Sequence, residues 1–274
     1  MDKHGNLRHV LSVATPPLEH VVGPEDSIEL AHVANDEMAE LLAKYPDRFI
    51  AAVACLPLNN IEAALDETDR AIKTLNFKGV QIFTSIHGKP LDSPEFMPLY
   101  EKMAAYDLPL WIHPVRDRDV PDYPNEEHSR YGIWMLVGWP YESTVAMARL
   151  VFSGVMDSFP GIKFITHHCG AMVPYFANRI GAQGRKWLKK PTIAYFKMFY
   201  ADTAVNGSLP ALECGYSFFG RDHVVFGTDM PYGDREGGKT TEQSISIIEA
   251  MKIEDSEKHG IFEGNARKLL KLIN

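Results

Sequence analysis

Short apolar segments rich in β-branched residues recur along this chain of 274 residues, and longer segments of helical periodicity separate them. Such alternation is typical of βα units with parallel strands, and the chain is close to the roughly 250 residues of a (β/α)8 barrel. The pattern therefore predicts one α/β barrel domain over residues 1–274. The seven predicted strands are His9–Ala14, Ile50–Leu56, Gly79–Phe83, Leu108–His113, Lys163–His167, Met198–Ala201 and His223–Gly227.

Charge and composition exclude several classes of partner. The net charge of −8 and the pI near 5.8 argue against nucleic acid, which normally requires a basic face. No apolar run reaches the roughly 18 residues of a membrane-spanning helix, and no signal-peptide core follows the first residues. Cys55, Cys169 and Cys214 are odd in number and widely spaced, which fits neither a disulfide framework nor a paired-cysteine zinc site. We therefore expect a cytoplasmic protein without nucleic-acid or membrane partners.

Four predicted strands end in residues that can bind a metal or move a proton. They are His113, the adjacent His167 and His168, Asp202, and Asp229. In a parallel barrel the carboxyl ends of the strands meet at one mouth, however far apart they lie in sequence. The sequence therefore predicts an active site built from these strand ends.

Three of these residues also have a structural interpretation. His113 could be a neutral metal-binding imidazole or a core histidine bonded to a backbone carbonyl. Asp229 could cap a helix, but loop-forming residues follow it, and a carboxylate behind an apolar strand is costly unless a cation compensates it. Asp202 fits a turn or a cap at least as well as catalysis.

The adjacent histidines are predicted to have different roles. Successive strand side chains point to opposite faces, so at most one of the two faces the mouth if the strand continues. The facing histidine could act as general acid or base near neutral pH, while its neighbour packs behind the strand. For His167 a structural hydrogen bond to a helix is the favoured interpretation.

The chemistry that remains is metal-assisted. No lysine lies at the carboxyl end of a predicted strand, which argues against Schiff-base catalysis. The sequence has no dinucleotide-binding motif, P-loop or nucleophile elbow. A long loop with several aromatic residues, 115–139, follows the strand that ends in His113, and loops of this length are usually functional. A helix is predicted next, over Pro140–Phe159.

Longer motifs together cover most of the chain. They are Ile112-His113-Pro114, Trp139-Pro140 through Ser153-Gly154, Phe159 through Gly170, Pro174 through Ile180, Gly227-Thr228-Asp229, and Gly264 through Leu269. Together they resemble the amidohydrolase superfamily, in its amidohydrolase-related branch of metal-dependent decarboxylases and hydrolases. That branch includes aminocarboxymuconate semialdehyde decarboxylase, γ-resorcylate decarboxylase and 5-carboxyvanillate decarboxylase.

The resemblance implies a role for each matching strand end. His113 and Asp229 match the family's metal ligands, and His168 matches the histidine that activates water or moves the proton. The implied cofactor is a divalent metal, zinc in the first place and manganese in the second, with no other cofactor-binding residues. The implied substrate is a small, often aromatic, carboxylate that undergoes hydrolysis or nonoxidative decarboxylation.

The chain departs from the family pattern at its beginning. The family's first strand carries a His-x-His or Glu-x-His pair, whereas this chain starts with Met1-Asp2-Lys3-His4-Gly5 and has seven predicted strands instead of eight. We therefore expect a TIM-type barrel that lacks the first strand, and a homodimer or larger homo-oligomer that covers the exposed edges. A late start of the reading frame would explain the missing pair. The alternative hypothesis is a degenerate, metal-free barrel that only binds a small molecule.

Overall fold

The computed structural model describes residues 4–13, 15–182, 184–233 and 238–272. All seven predicted strands are present at the predicted places, although each is shorter than predicted and Ala14 lies outside the described residues. The strands are β1 (His9–Leu11), β2 (Phe49–Ala52), β3 (Val80–Phe83), β4 (Ser85–Ile86), β5 (Lys89–Pro90), β6 (Leu110–His113), β7 (Phe164–Thr166), β8 (Tyr200–Asp202) and β9 (Val224–Val225).

Helices follow most of the strands, as βα units require. They are α1 (Leu18–Val21), α2 (Pro24–Lys44), α3 (Ile61–Lys73), α4 (Met97–Tyr106), α5 (Ile133–Leu136), α6 (Gly138–Phe152), α7 (Val155–Ser158), α8 (Ala177–Gly181), α9 (Thr192–Phe196), α10 (Leu209–Phe219), α11 (Gly238–Ala250), α12 (Asp255–His259) and α13 (Asn265–Leu269). None of the described helices combines the length and the apolar composition needed to cross a membrane.

The parallel strands follow one another in sequence order. β1 pairs with β2, an isolated parallel bridge joins Ala54 to Val80, and β3, β6, β7, β8 and β9 form a continuous parallel sheet. Among the described residues no strand pairing joins β1 to β9. The expected α/β fold of the barrel type is therefore confirmed, with an opening between its first and last strands.

Two local features differ from the prediction. The helix predicted over Pro140–Phe159 is divided into α6 and α7, because Gly154 takes a left-handed φ of 84° between them. The short antiparallel hairpin of β4 and β5 was not predicted, since strands of two residues leave no periodic signal. The hairpin extends the chain beyond β3 at the carboxyl ends of the strands.

Close packing of β3 against β6 brings two site-forming strands into register. Gly79, just before β3, has a φ of 150°, and a Cβ there would lie 2.4 Å from both the Pro109 carbonyl oxygen and the Trp111 ring. Only glycine permits this approach of the two backbones. As a result Phe83 pairs with His113 at the carboxyl end of the sheet.

Candidate metal centre

Three of the predicted strand-end residues converge at the carboxyl ends of β6, β7 and β9. His113, His168 and Asp229 each offer one ligand atom, and these atoms all lie within 4.8 Å of one another. The residues are 55 and 61 positions apart along the chain (113 to 168, 168 to 229). Parallel strand order therefore brings together what the sequence separates.

His113 is held in a buried, largely aromatic environment. Its ring contacts Phe83, Trp139 and His167 edge to face, with centroids 5.9, 5.4 and 5.0 Å away. Burial, helped by the neighbouring histidines, lowers the pKa of His113 to about 2. The imidazole is therefore neutral at physiological pH, which is the form that binds a metal.

A tight turn after β7 brings both adjacent histidines to the site. The strand ends at Thr166, and His168 through Ala171 all have positive φ values between 53° and 73°. The rings of His167 and His168 consequently lie 5.0 and 5.9 Å from that of His113. The expectation that one histidine packs behind the strand is wrong, because strand alternation does not extend past Thr166.

The orientation of His168 follows from one hydrogen bond. Its Nδ1 lies 3.1 Å from the Ala204 carbonyl oxygen, and because a carbonyl only accepts, Nδ1 must carry the proton. The Nε2 atom is buried without a hydrogen-bond partner in the described part of the chain. His168 therefore directs a free nitrogen toward the site.

Two carboxylates occupy the neighbouring strand ends. Asp229 is partly buried. Burial raises the pKa of its carboxyl group, and repulsion from Asp202 adds to this rise, whereas the nearby His168 lowers the pKa. Asp202 is 7% exposed; burial raises its pKa, while His168 and backbone N–H groups oppose the rise. Asp202 accepts hydrogen bonds from the backbone N–H groups of Cys169 and Ala204 at 3.0 and 3.1 Å. It thus has the turn function that fitted the sequence at least as well as catalysis.

The three converging residues fit a divalent cation. His113 Nδ1 and His168 Nε2 are buried polar atoms with no hydrogen-bond partner among the described residues. Ligand atoms at about 2.1 Å from a tetrahedral cation lie about 3.4 Å apart, so donors within 4.8 Å of one another can reach one cation after modest side-chain movement. Two imidazoles and a carboxylate also match the three-protein-ligand set of open catalytic centres.

The site opens into a cavity of about 820 Å³ at the centre of the strand array. Its wall includes His113, His167, Asp202 and Asp229, together with residues from both β1 and β9. A volume in this range accommodates a small organic ligand. The cavity therefore connects the candidate metal ligands with space for a substrate.

Sequence reasoning did not assign three side chains that shape this centre. His167 lines the cavity, and its Nδ1 lies 3.6 Å from Asp202 Oδ2. Phe83 and Trp139 pack on His113, and the buried Trp139 Nε1 has no hydrogen-bond partner within the described ranges. His167 had a sequence signal as a strand-end histidine, and Trp139 had one as an aromatic residue in the long loop after β6, whereas Phe83 had none.

Comparison with known proteins identifies the family. The amidohydrolase family model Amidohydro_2 matches residues 9–272, nearly the whole chain. The chain belongs to this amidohydrolase family. The resemblance inferred from the strand-end motifs is thereby confirmed.

Several relatives that match the chain over nearly its whole length are decarboxylases. The γ-resorcylate decarboxylase of Polaromonas sp. strain JS666 is 31% identical over 292 residues, covering 99% of this chain and 85% of the relative. The solved structure of 5-carboxyvanillate decarboxylase from Sphingomonas paucimobilis superposes with a TM-score of 0.88 at 26% identity, covering 100% of this chain and 81% of that one.

A second solved structure contains a metal. It is a dihydroxybenzoic acid decarboxylase from Polaromonas sp. strain JS666 with bound manganese and the inhibitor 2-nitroresorcinol. Its TM-score is 0.83 at 27% identity, and the match covers 99% of this chain and 84% of that one. The neighbours thus support a metal site, but they favour manganese over the zinc that the sequence suggested first.

Proposed function

We propose that this protein is a manganese-dependent carboxy-lyase that releases CO2 from a small aromatic carboxylate without oxidation. One observation carries the proposal: His113, His168 and Asp229 converge beside a cavity in a chain that has several decarboxylases among its near-full-length relatives. Of the two reactions that the sequence left open, the relatives favour decarboxylation.

In this proposal two side chains bind the metal and a third transfers the proton. His113 and Asp229 hold the cation, which when bound supplies positive charge that polarises substrate oxygen atoms near the scissile bond. The His168 Nδ1 already donates to the Ala204 carbonyl oxygen, so Nε2 is the atom that takes up and passes on the transferred proton. As CO2 leaves, the electrons of the broken C–C bond remain on the substrate carbon, and His168 delivers the proton to that carbon.

The cavity wall suits an aromatic substrate. Trp111, His113 and Phe226 line it, so rings and apolar atoms face the space beside the candidate ligands. Apolar walls with a few fixed polar groups are typical of sites for small organic ligands. The single-domain organisation, the homo-oligomeric state and the cytoplasmic location stay predictions.

Metal exchange combined with a CO2-release assay tests this function. Purified protein should lose activity toward 2,6-dihydroxybenzoate or 5-carboxyvanillate after chelation and regain it with Mn²⁺ more fully than with Zn²⁺. Elemental analysis of the same samples should follow activity. Protein that binds these carboxylates but holds no metal and releases no CO2 would instead support the degenerate, metal-free binding barrel.

A further inference from the structure

Asp202 links three segments that surround the candidate metal centre. Its Oδ1 accepts hydrogen bonds from Cys169 N in the turn after β7 and from Ala204 N beyond β8. Its Oδ2 lies 3.6 Å from His167 Nδ1. A Cβ on Gly227, after β9, would lie 2.9 Å from the Asp202 Cβ, so the backbone there packs directly on this side chain.

The turn that Asp202 contacts is unfavourable without support. His168, Cys169 and Ala171 all take positive φ values near 55°, a region that residues other than glycine seldom occupy. Such conformations persist where surrounding interactions enforce them, and they cluster at functional sites. The Asp202 bond to Cys169 N lies in the middle of this turn.

The same carboxylate also binds Ala204, the residue that is hydrogen-bonded to the His168 ring. Ala204, whose N–H binds Asp202, provides the carbonyl oxygen that accepts from His168 Nδ1. Asp202 therefore fixes the His168 backbone from one side and the hydrogen-bond acceptor of its ring from the other. Outer-shell partners of this kind set both the tautomer and the direction of a site histidine.

We propose that Asp202 is a positioning residue that holds the left-handed turn after β7 and thereby directs His168 Nε2, and beside it His167, toward His113. The inference rests on the assignment of His168 to the site in the proposed function. It adds a role for a side chain that does not belong to the converging ligand group.

The test compares Asp202→Asn with Asp202→Leu. The asparagine retains an oxygen that can accept both backbone N–H groups, whereas leucine has a similar size and accepts none. Asn265→Leu is the matched control, because buried Asn265 also bonds two backbone groups, the carbonyls of Arg221 and Val224, but does not contact the turn.

The first readout is the imidazole ¹H–¹⁵N NMR spectrum of metal-free protein, with the His168 signal assigned by its loss in His168→Gln. We expect an Nδ1-protonated His168 in the wild type, Asp202→Asn and Asn265→Leu, and a mobile or mixed tautomer in Asp202→Leu. The second readout is amide exchange at Cys169 and Ala204, whose N–H groups bond Asp202 in the wild type; both amides should lose protection in Asp202→Leu and keep it in the other two variants.

An ordered His168 signal in Asp202→Leu, or equal effects of Asp202→Leu and Asn265→Leu, would overturn the positioning role. If Asp202→Leu does not fold, amide exchange of wild-type Cys169 and Ala204 decides, since rapid exchange at both would contradict the two bonds to Asp202. These measurements need neither substrate nor turnover. An intact His168 signal without CO2 release would therefore contradict only the proposed function.

Discussion

At the scale of single residues, the site depends on buried nitrogen atoms that lack protein partners. His113 Nδ1 and His168 Nε2 have none in the described part of the structure, and a buried polar group without a partner costs about 1–3 kcal/mol. Chains retain such a cost where a ligand completes the bonding. The two histidine nitrogens therefore differ from the amide of a core polar residue such as Asn265, which is bonded.

Replacing His168 should separate proton transfer from metal binding. His168→Ala should retain the fold and most of the bound metal but lose roughly 10²- to 10⁴-fold in turnover, the usual contribution of a positioned acid or base. Turnover, metal content and circular dichroism are the measurements, with His32→Ala as the control, because His32 lies in α2 and pairs with Glu67, away from the candidate ligands. Unchanged turnover rejects the proton-transfer role, and a collapsed spectrum assigns His168 a structural one.

Replacing Asp229 should weaken metal binding. Asp229→Asn removes the negative charge that faces the cation, so metal content should fall, and it should fall further than in Asp202→Asn. Elemental analysis at matched purity measures both variants. Equal metal content in the wild type and Asp229→Asn removes Asp229 from the ligands, and greater loss in His168→Ala than in Asp229→Asn makes His168 a ligand.

At the scale of elements, α1 brings a buried carboxylate close to β3. Glu19 is 3% exposed, and its Oε1 has no hydrogen-bond partner within the described ranges. It lines a small cavity with Cys55, Gln81 and Phe83. Burial raises the pKa of Glu19 to about 7, although its own backbone N–H and His87 oppose the rise.

Because of the Glu19 carboxyl group, the stability of the fold should decrease as the pH rises. Between the ordinary value of 4.5 and about 7, the unfolded chain releases the proton while the folded chain keeps it, so unfolding becomes easier as pH rises. The free energy of unfolding of Glu19→Gln, relative to that of the wild type, should therefore rise by up to about 3 kcal/mol from pH 4.5 to pH 8. Urea unfolding at both pH values measures this, with exposed Glu29→Gln as the control, and a pH-independent difference contradicts it.

At the scale of the whole molecule, the opening between β1 and β9 is the main departure from a closed barrel. Each of these strands has one parallel neighbour in the described structure, whereas β6 lies between β3 and β7. Unpaired strand edges favour local opening and association with another chain. The large cavity reaches this opening from the candidate metal centre.

Hydrogen exchange should reveal whether these edges are free. Amides of β1 and β9 that point away from their single neighbour should exchange faster than those of β6, because only one side is bonded. Exchange at several protein concentrations, alongside light scattering, is the measurement. Protection that grows with concentration supports the predicted homo-oligomer, whereas uniform protection in a dilute monomer contradicts free edges.

The sequence determined the strands and indicated three of the candidate site residues. Alternating βα periodicity located all seven parallel strands, and the family motifs selected His113, His168 and Asp229, because both signals are local in the chain. Only the tertiary structure decided that His167 and His168 both face the site, since a left-handed turn is supported by Asp202 from another strand. The packing of Phe83 and Trp139 on His113 was likewise decided by contacts between distant segments, which no local periodicity encodes.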